Sequence, residues 1–327
     1  MTAPAPFAEI WRGPFLESVH SGHAVICDAT GQIVDAWGDP NAIVLPRSSS
    51  KMLQALPLIR SGAADAFGLT TQQLALACAS HQGAEIHVNA VNNWIDDLGL
   101  DDTAFRCGPQ ESRERSVKDA QIRAHETPCR VHNNCSGKHA GFLTLTKHLK
   151  AGPEYTAPDH PVQIACRDAF EDVTNETSPG FGIDGCSAPN YAATLHGVAR
   201  AMAHFAAAPD DSAEARLHRA MRLHPELVAG SGRACTELMQ ACDGKVALKT
   251  GAEGFFIAIL PERGLGIALK AACGTTRAAE AAITALLVRL GVLDANHPAT
   301  LRRINAPINN WDGLQTGILK PAAGLLA

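Results

Sequence analysis

Ser48 and Lys51 stand three residues apart in the segment RSSSKMLQALPLI, residues 47–59, the only Ser-x-x-Lys in the chain. At 3.6 residues per turn, that step leaves two side chains about 60° apart on one helix face, so the amine can reach the hydroxyl. A serine hydroxyl is a poor nucleophile until a neighbouring base takes its proton. A lysine can do this once burial or a nearby cation lowers its pKa. The same residues have a plainer use, because serines ahead of an apolar helical run are common N-caps.

Two other short segments carry related chemistry. ACASHQG (77–83) places Ser80 at a helix end with polar His81 and Gln82 behind it, and Lys249-Thr250-Gly251 opens a strand-like run. Taken singly, the first reads as a C-terminal cap closed by Gly83 and the second as a strand lysine beside a turn. In order along the chain, the three segments resemble the Ser-x-x-Lys, Ser-x-Asn-type and Lys-Thr-Gly elements of penicilloyl serine transferases and β-lactamases. In that arrangement a helix start presents the nucleophile, a loop serine relays protons, and an edge strand supplies a second ammonium that holds substrate.

A further cluster lies in CRVHNNCSGKHAGFL (129–143), where Cys129, His132, Cys135, Lys138 and His139 crowd a loop-to-helix junction capped by Asn134 or Ser136. A second loop, GIDGCSAPN (182–190), offers Asp184 and Cys186 between glycines. Thiols and imidazoles in this number predict a zinc site built from two or three of them, although the spacing is not that of a zinc finger. Free thiols packed near a polar loop are the alternative.

These residues need a scaffold. Residues 7–38 read as strands, with a hairpin turn at Asp28–Gly31. Helical periodicity follows from Lys51 and again from Thr70 or Thr71 to near Ser80. Further helices are expected at 84–97, 136–150, 160–175, 191–207 and 213–223. KVALKTGAEGFFIAILPERGLGIALKAACG (245–274) predicts two or three antiparallel strands, followed by a helix over 276–291 and a closing strand in NNWDGLQTGILKP (309–321). Strands at both ends with helices between them give an α+β class. The expected organisation is one domain, with a sheet lobe over about 1–47 and 244–327 and a helical lobe over about 48–243.

Composition narrows the setting. The 327 residues are 46% apolar and 19% charged with a net charge of −5, and no long basic run favours nucleic acid or an anionic membrane. The first residues lack a basic start and an apolar core, and no stretch reaches the roughly 20 apolar residues of a membrane span. A cytoplasmic protein is expected, with its ten cysteines held as thiols.

The segments RSSSK, CASHQG, NNCSGKHAGFL, DHPVQ, GIDGCSAPNYA and HPELVAGSGRAC resemble the signatures of the asparaginase II family, the rhizobial-type L-asparaginases. The likeness runs over about residues 10–320. It implies a serine β-lactamase/penicillin-binding-protein-like fold, hydrolysis of L-asparagine to L-aspartate and ammonia, and a homodimer. Ser48 and Lys51 would then form one Ser–Lys dyad, and Ser80 a second with Lys249, which aligns there in preference to Lys270. Cys135, Lys138 and Cys186 would hold Zn2+, with Arg47 and Asp184 orienting the substrate's α-carboxylate and α-ammonium. A lysine ligand must first lose its proton, costing roughly 4–5 kcal/mol at pH 7 from a pKa near 10.4, so the zinc affinity should be modest. Glutaminase activity differs by one methylene. A β-lactamase or penicillin-binding enzyme is the main rival, drawing on Glu171 and Asn175, whose spacing suggests a deacylating Glu-x-x-x-Asn loop. A non-catalytic metal-binding protein is the other.

Overall fold

The computed structural model describes residues 2–326. The chain is α+β and divides into two compact units. One contains residues 1–49, 193–207 and 237–327; the other contains 50–192 and 208–236.

The first unit is built on an eight-stranded sheet. Its strands are β1 (Ala5–Arg12), β2 (Phe15–Cys27), β3 (Ile33–Trp37), β4 (Ala247–Thr250), β5 (Phe255–Leu260), β6 (Leu265–Ala271), β7 (Ala306–Asn309) and β8 (Gln315–Pro321). They run in the order β7-β8-β1-β2-β6-β5-β4, with β3 also pairing with β2, and every pairing is antiparallel. Both termini therefore contribute to one sheet, as the two β-rich ends of the sequence predict. β5 is buried at all six positions, which explains why FFIAIL is continuously apolar rather than alternating. The expected turn at 28–31 is present: the Asp28 carboxylate accepts hydrogen bonds from the Thr30 and Gln32 N–H groups.

Two expectations shift in this unit. The helix predicted over 191–207 begins at Leu195, because Ala193–Thr194 forms a short strand with Ile43–Val44 and Leu195 N–H donates to the Ala42 carbonyl. The closing strand is the hairpin β7–β8, whose turn is held by the Asn310 side chain accepting from the Asp312 and Leu314 N–H groups.

The second unit is helical. Its central helix, Lys51–Arg60, buries every residue but the last. Helices Thr71–Ala77, Glu85–Asp97, Ser136–His148, Pro161–Thr174 and Ala213–Leu223 lie close to their predicted positions. Thr70 and Gln73 form a reciprocal capping box at the start of the 71–77 helix, and Pro161 occupies the first turn of the 161–174 helix. Arg115–Ala124 is a further helix with no buried residue, so no apolar stripe marks it in the sequence.

Candidate active site

Lys51 is the first residue of the central helix and is 1% exposed. Its Nζ donates to Ser80 Oγ at 2.9 Å, to Cys135 Sγ at 3.2 Å and to the Ala79 carbonyl. Three acceptors satisfy the three N–H bonds of an ammonium. The same geometry suits the neutral amine, whose lone pair accepts the Ser80 hydroxyl while its two N–H groups keep the carbonyl and the sulfur. A buried lysine that fits both protonation states can serve as a base.

Ser80 is 5% exposed, and its segment is fixed on both sides. Its own N–H donates to the Val228 carbonyl at 2.9 Å, and His81 N–H donates to the Asn134 carbonyl at 3.1 Å. Gly83 N–H donates to His81 Nδ1 at 3.1 Å. This leaves the Nε2–H of His81 for Ser136 Oγ at 2.9 Å, and the Ser136 hydroxyl donates on to the Val131 carbonyl. Burial, together with the stacked ring of His87, holds His81 well below the ordinary histidine pKa, so it is a neutral strut.

The second cluster abuts the first through Cys135. Lys138 Nζ lies 3.0 Å from Cys186 Sγ, and both residues are buried. The hydrogen bond from Cys135 lowers the pKa of Cys186 well below the usual thiol value; burial opposes the shift, and Lys138 and His139 add to it. That same bond raises Cys135, so the two sulfurs share one proton. Burial acts to discharge Lys138, but the charges on the two sulfurs outweigh it and keep the ammonium. Asp184, on the turn before Cys186, accepts Gly185 N–H at 2.7 Å and adds to the negative field at Lys138.

The donor set suits a soft divalent ion. Among the described residues no three His, Cys, Asp or Glu side chains converge as ligands, so a metal at the two thiols would need the Lys138 amine as its third protein donor. His139 stands beside this set: its Nδ1 pairs with the Tyr155 hydroxyl at 2.9 Å, and its ring also interacts with the Cys186 sulfur.

The second unit thus brings together Lys51, Ser80, Cys135, Lys138, Asp184 and Cys186. The remaining predicted residues, Arg47, Ser48 and Lys249, belong to the first unit. Ser48 is half-buried in the 3-10 turn Arg47–Ser50, where Arg47 has a φ of 53°. Lys249, on β4, is fully buried with its Nζ donating to the Thr250 carbonyl at 2.7 Å, and Ser49 Oγ donates to the Lys249 carbonyl at 2.9 Å.

Caps fall differently from expectation. Ser50 is the N-cap residue of the central helix but makes no side-chain cap bond. At the 136–148 helix the cap position is Cys135, and the side chain that accepts its N–H is Asn133, at 2.9 Å. Sequence spacing pairs Lys51 with Ser48 along one helix face. It carries no trace of Ser80, which lies 29 residues on and which only the tertiary fold brings to the amine.

The family model for L-asparaginase II matches residues 8–321. No curated protein matches the sequence. Among solved structures, the native form of Mglu is 14% identical with a TM-score of 0.48, the alignment covering 84% of this chain and 66% of that one. This chain thus spans just under two thirds of that protein. A β-lactamase from Mycobacterium bovis is 14% identical with a TM-score of 0.47, over 83% of this chain and 95% of that one. An octameric penicillin-binding protein homologue from Pyrococcus abyssi is 11% identical with a TM-score of 0.38, over 89% and 80%. The family match covers nearly the whole chain, including every segment named above, and the chain belongs to the L-asparaginase II family.

Proposed function

We propose that this chain hydrolyses the side-chain amide of L-asparagine to L-aspartate and ammonia by serine–lysine chemistry. The observation that carries the reading is the buried Ser80 hydroxyl 2.9 Å from the buried Lys51 amine, in a chain of the L-asparaginase II family.

Neutral Lys51 takes the Ser80 proton as the oxygen attacks the amide carbon, and the resulting ammonium gives that proton to the amide nitrogen. The C–N bond breaks, ammonia leaves, and a β-aspartyl ester remains on Ser80. Lys51 then draws a proton from water, the hydroxide adds to the ester carbon, and as the C–O bond breaks the Lys51 ammonium returns that proton to the serine oxygen. Ser48 is the competing nucleophile and Lys249 the second amine, with Arg47 and Asp184 in substrate orientation. Cys135, Cys186 and Lys138 would hold zinc, which when bound supplies a fixed positive charge beside the substrate.

The β-lactamase rival gains nothing from Glu171 and Asn175. Glu171 accepts the Ser178 N–H at 2.9 Å, and Asn175 closes the 161–174 helix in the left-handed conformation.

Ammonia release from L-asparagine and L-glutamine, with and without a chelator, tests the reaction, the preference and the metal together, and nitrocefin tests the rival. Ser80→Ala should lower kcat by about 10³-fold or more with the fold intact by circular dichroism. A comparable loss in Ser48→Ala alone, with Ser80→Ala near normal, would move the nucleophile to Ser48. The homodimer and the cytoplasmic setting belong to the same proposal, and light scattering in solution tests the first. No helix among the described residues is long and apolar enough to cross a membrane.

A further inference from the structure

Two segments clamp the Ser80 loop within the second unit, and each ends in an arginine without a counterion. On one side, Arg113 N–H donates to the Gln82 carbonyl at 2.8 Å, and Ser112 Oγ donates to the Gln82 and Gly83 carbonyls. On the other side, the Val228 carbonyl accepts Ser80 N–H, and Gly230 packs so closely on Gln82 that a Cβ there would overlap its side chain. Gly230 has a φ of 119°, and its carbonyl accepts Arg233 N–H at 3.3 Å, so Gln82 fixes the turn that carries Arg233.

Neither guanidinium makes an ion pair or a side-chain hydrogen bond among the described residues. The nearby carboxylates are committed elsewhere: Glu114 accepts from Gln82 Nε2 at 2.6 Å, and Glu111 pairs with Lys118 at 2.6 Å. Arg113 faces a cleft of about 590 Å³ that it lines with Gln110, Ser112 and Arg115, among others. Arg113 and Arg233 lie near enough to repel one another, and Arg113 also feels Cys135, the thiol that touches Lys51.

Two unpartnered cations on the segments that hold the Ser80 loop, with their neighbouring acids occupied, are arranged for an anion that arrives from outside. The carboxylate of an α-amino acid matches a guanidinium fork, and in asparagine it stands only a short carbon chain from the amide. We infer that Arg113 and Arg233 bind the substrate's α-carboxylate, the role given above to Arg47, and thereby select free amino acids over amides that lack that group. This inference rests on the hydrolase reading.

The test compares L-asparagine with L-asparaginamide, whose α-carboxylate is replaced by a neutral amide, in the full chain and in Arg113→Gln and Arg233→Gln. With wild-type activity present, each variant should raise KM for L-asparagine by about 10- to 100-fold with kcat within about threefold, while asparaginamide kinetics stay nearly unchanged. Arg113→Lys and Arg233→Lys, which keep the charge without the fork, should fall between. An active wild type whose KM and asparagine-over-asparaginamide preference survive both Gln variants overturns the arginine assignment and leaves the hydrolase reading standing. Calorimetric binding of L-aspartate serves as a second readout, and it should weaken by the same factor. If the wild type releases no ammonia, the hydrolase reading falls and this binding measurement alone decides the arginine pair; no binding of L-aspartate overturns both.

Discussion

At the scale of single residues, one group of atoms can exist in two states. Without a metal, Cys186 is a thiolate held by Cys135 and Lys138, and Lys138 is an ammonium. To ligate zinc, Cys135 must lose its proton and Lys138 must lose another, so the ion competes with two protons rather than entering an empty cage. Calorimetry in buffers of different ionisation enthalpy near pH 7 should therefore find about two protons released per zinc, with affinity rising roughly 10- to 100-fold per pH unit. Lys138→Met should remove about one proton from that count. An unchanged count in that variant would take Lys138 out of the ligand set.

At the scale of elements, the site depends on how closely the 136–148 helix seats against the 71–77 helix. Gly137 marks the contact: a Cβ there would press on the Leu76 carbonyl oxygen at 2.5 Å, and backbone cannot swing aside as a side chain could. Gly137→Ala should cost about 1–3 kcal/mol in urea unfolding and should also weaken zinc binding, because Cys135 and Lys138 flank the displaced turn. Stability within a few tenths of a kcal/mol of wild type would show that the helices part without strain. The glycine, the helix around it and the two cysteine segments were all legible in the sequence. Local signals such as periodicity, the Thr70 cap and the Asp28 turn come from neighbours a few residues apart, and they placed most elements to within a few residues. The bond from Lys51 to Ser80, the committed carboxylates around Arg113 and the exposed 115–124 helix were not legible. The first two arise from contacts between distant segments, and the third buries nothing that would impose a period.

At the scale of the whole molecule, the helical unit buries histidines that it keeps neutral. His218 is 4% exposed, and burial, aided by Arg222 and Arg219, pushes its pKa down to about 4. His87 and His81 are lowered in the same direction, chiefly by burial. An unfolded histidine titrates near 6.5, so the unfolded chain binds protons first as the pH falls. Stability from these groups is therefore fully present above about pH 6.5 and is lost progressively toward pH 4. His218 alone accounts for about 3 kcal/mol of that loss, a large share of a typical net stability. The sheet unit has no part in this set, because all three residues lie in the helical unit. Of the four tryptophans only Trp94 lies in that unit, and it is 1% exposed with its Nε1–H donating to Thr144 Oγ1. Urea titrations followed by Trp94 fluorescence, with the other three tryptophans replaced by Phe, should show a midpoint that is flat from pH 8 to 7 and falls steeply from 6.5 to 4. His218→Leu should flatten that slope by about one proton. A midpoint independent of pH across this window would mean that these imidazoles meet water in the folded protein, and the Ser80 loop would then lack the neutral His81 strut that holds it to Ser136.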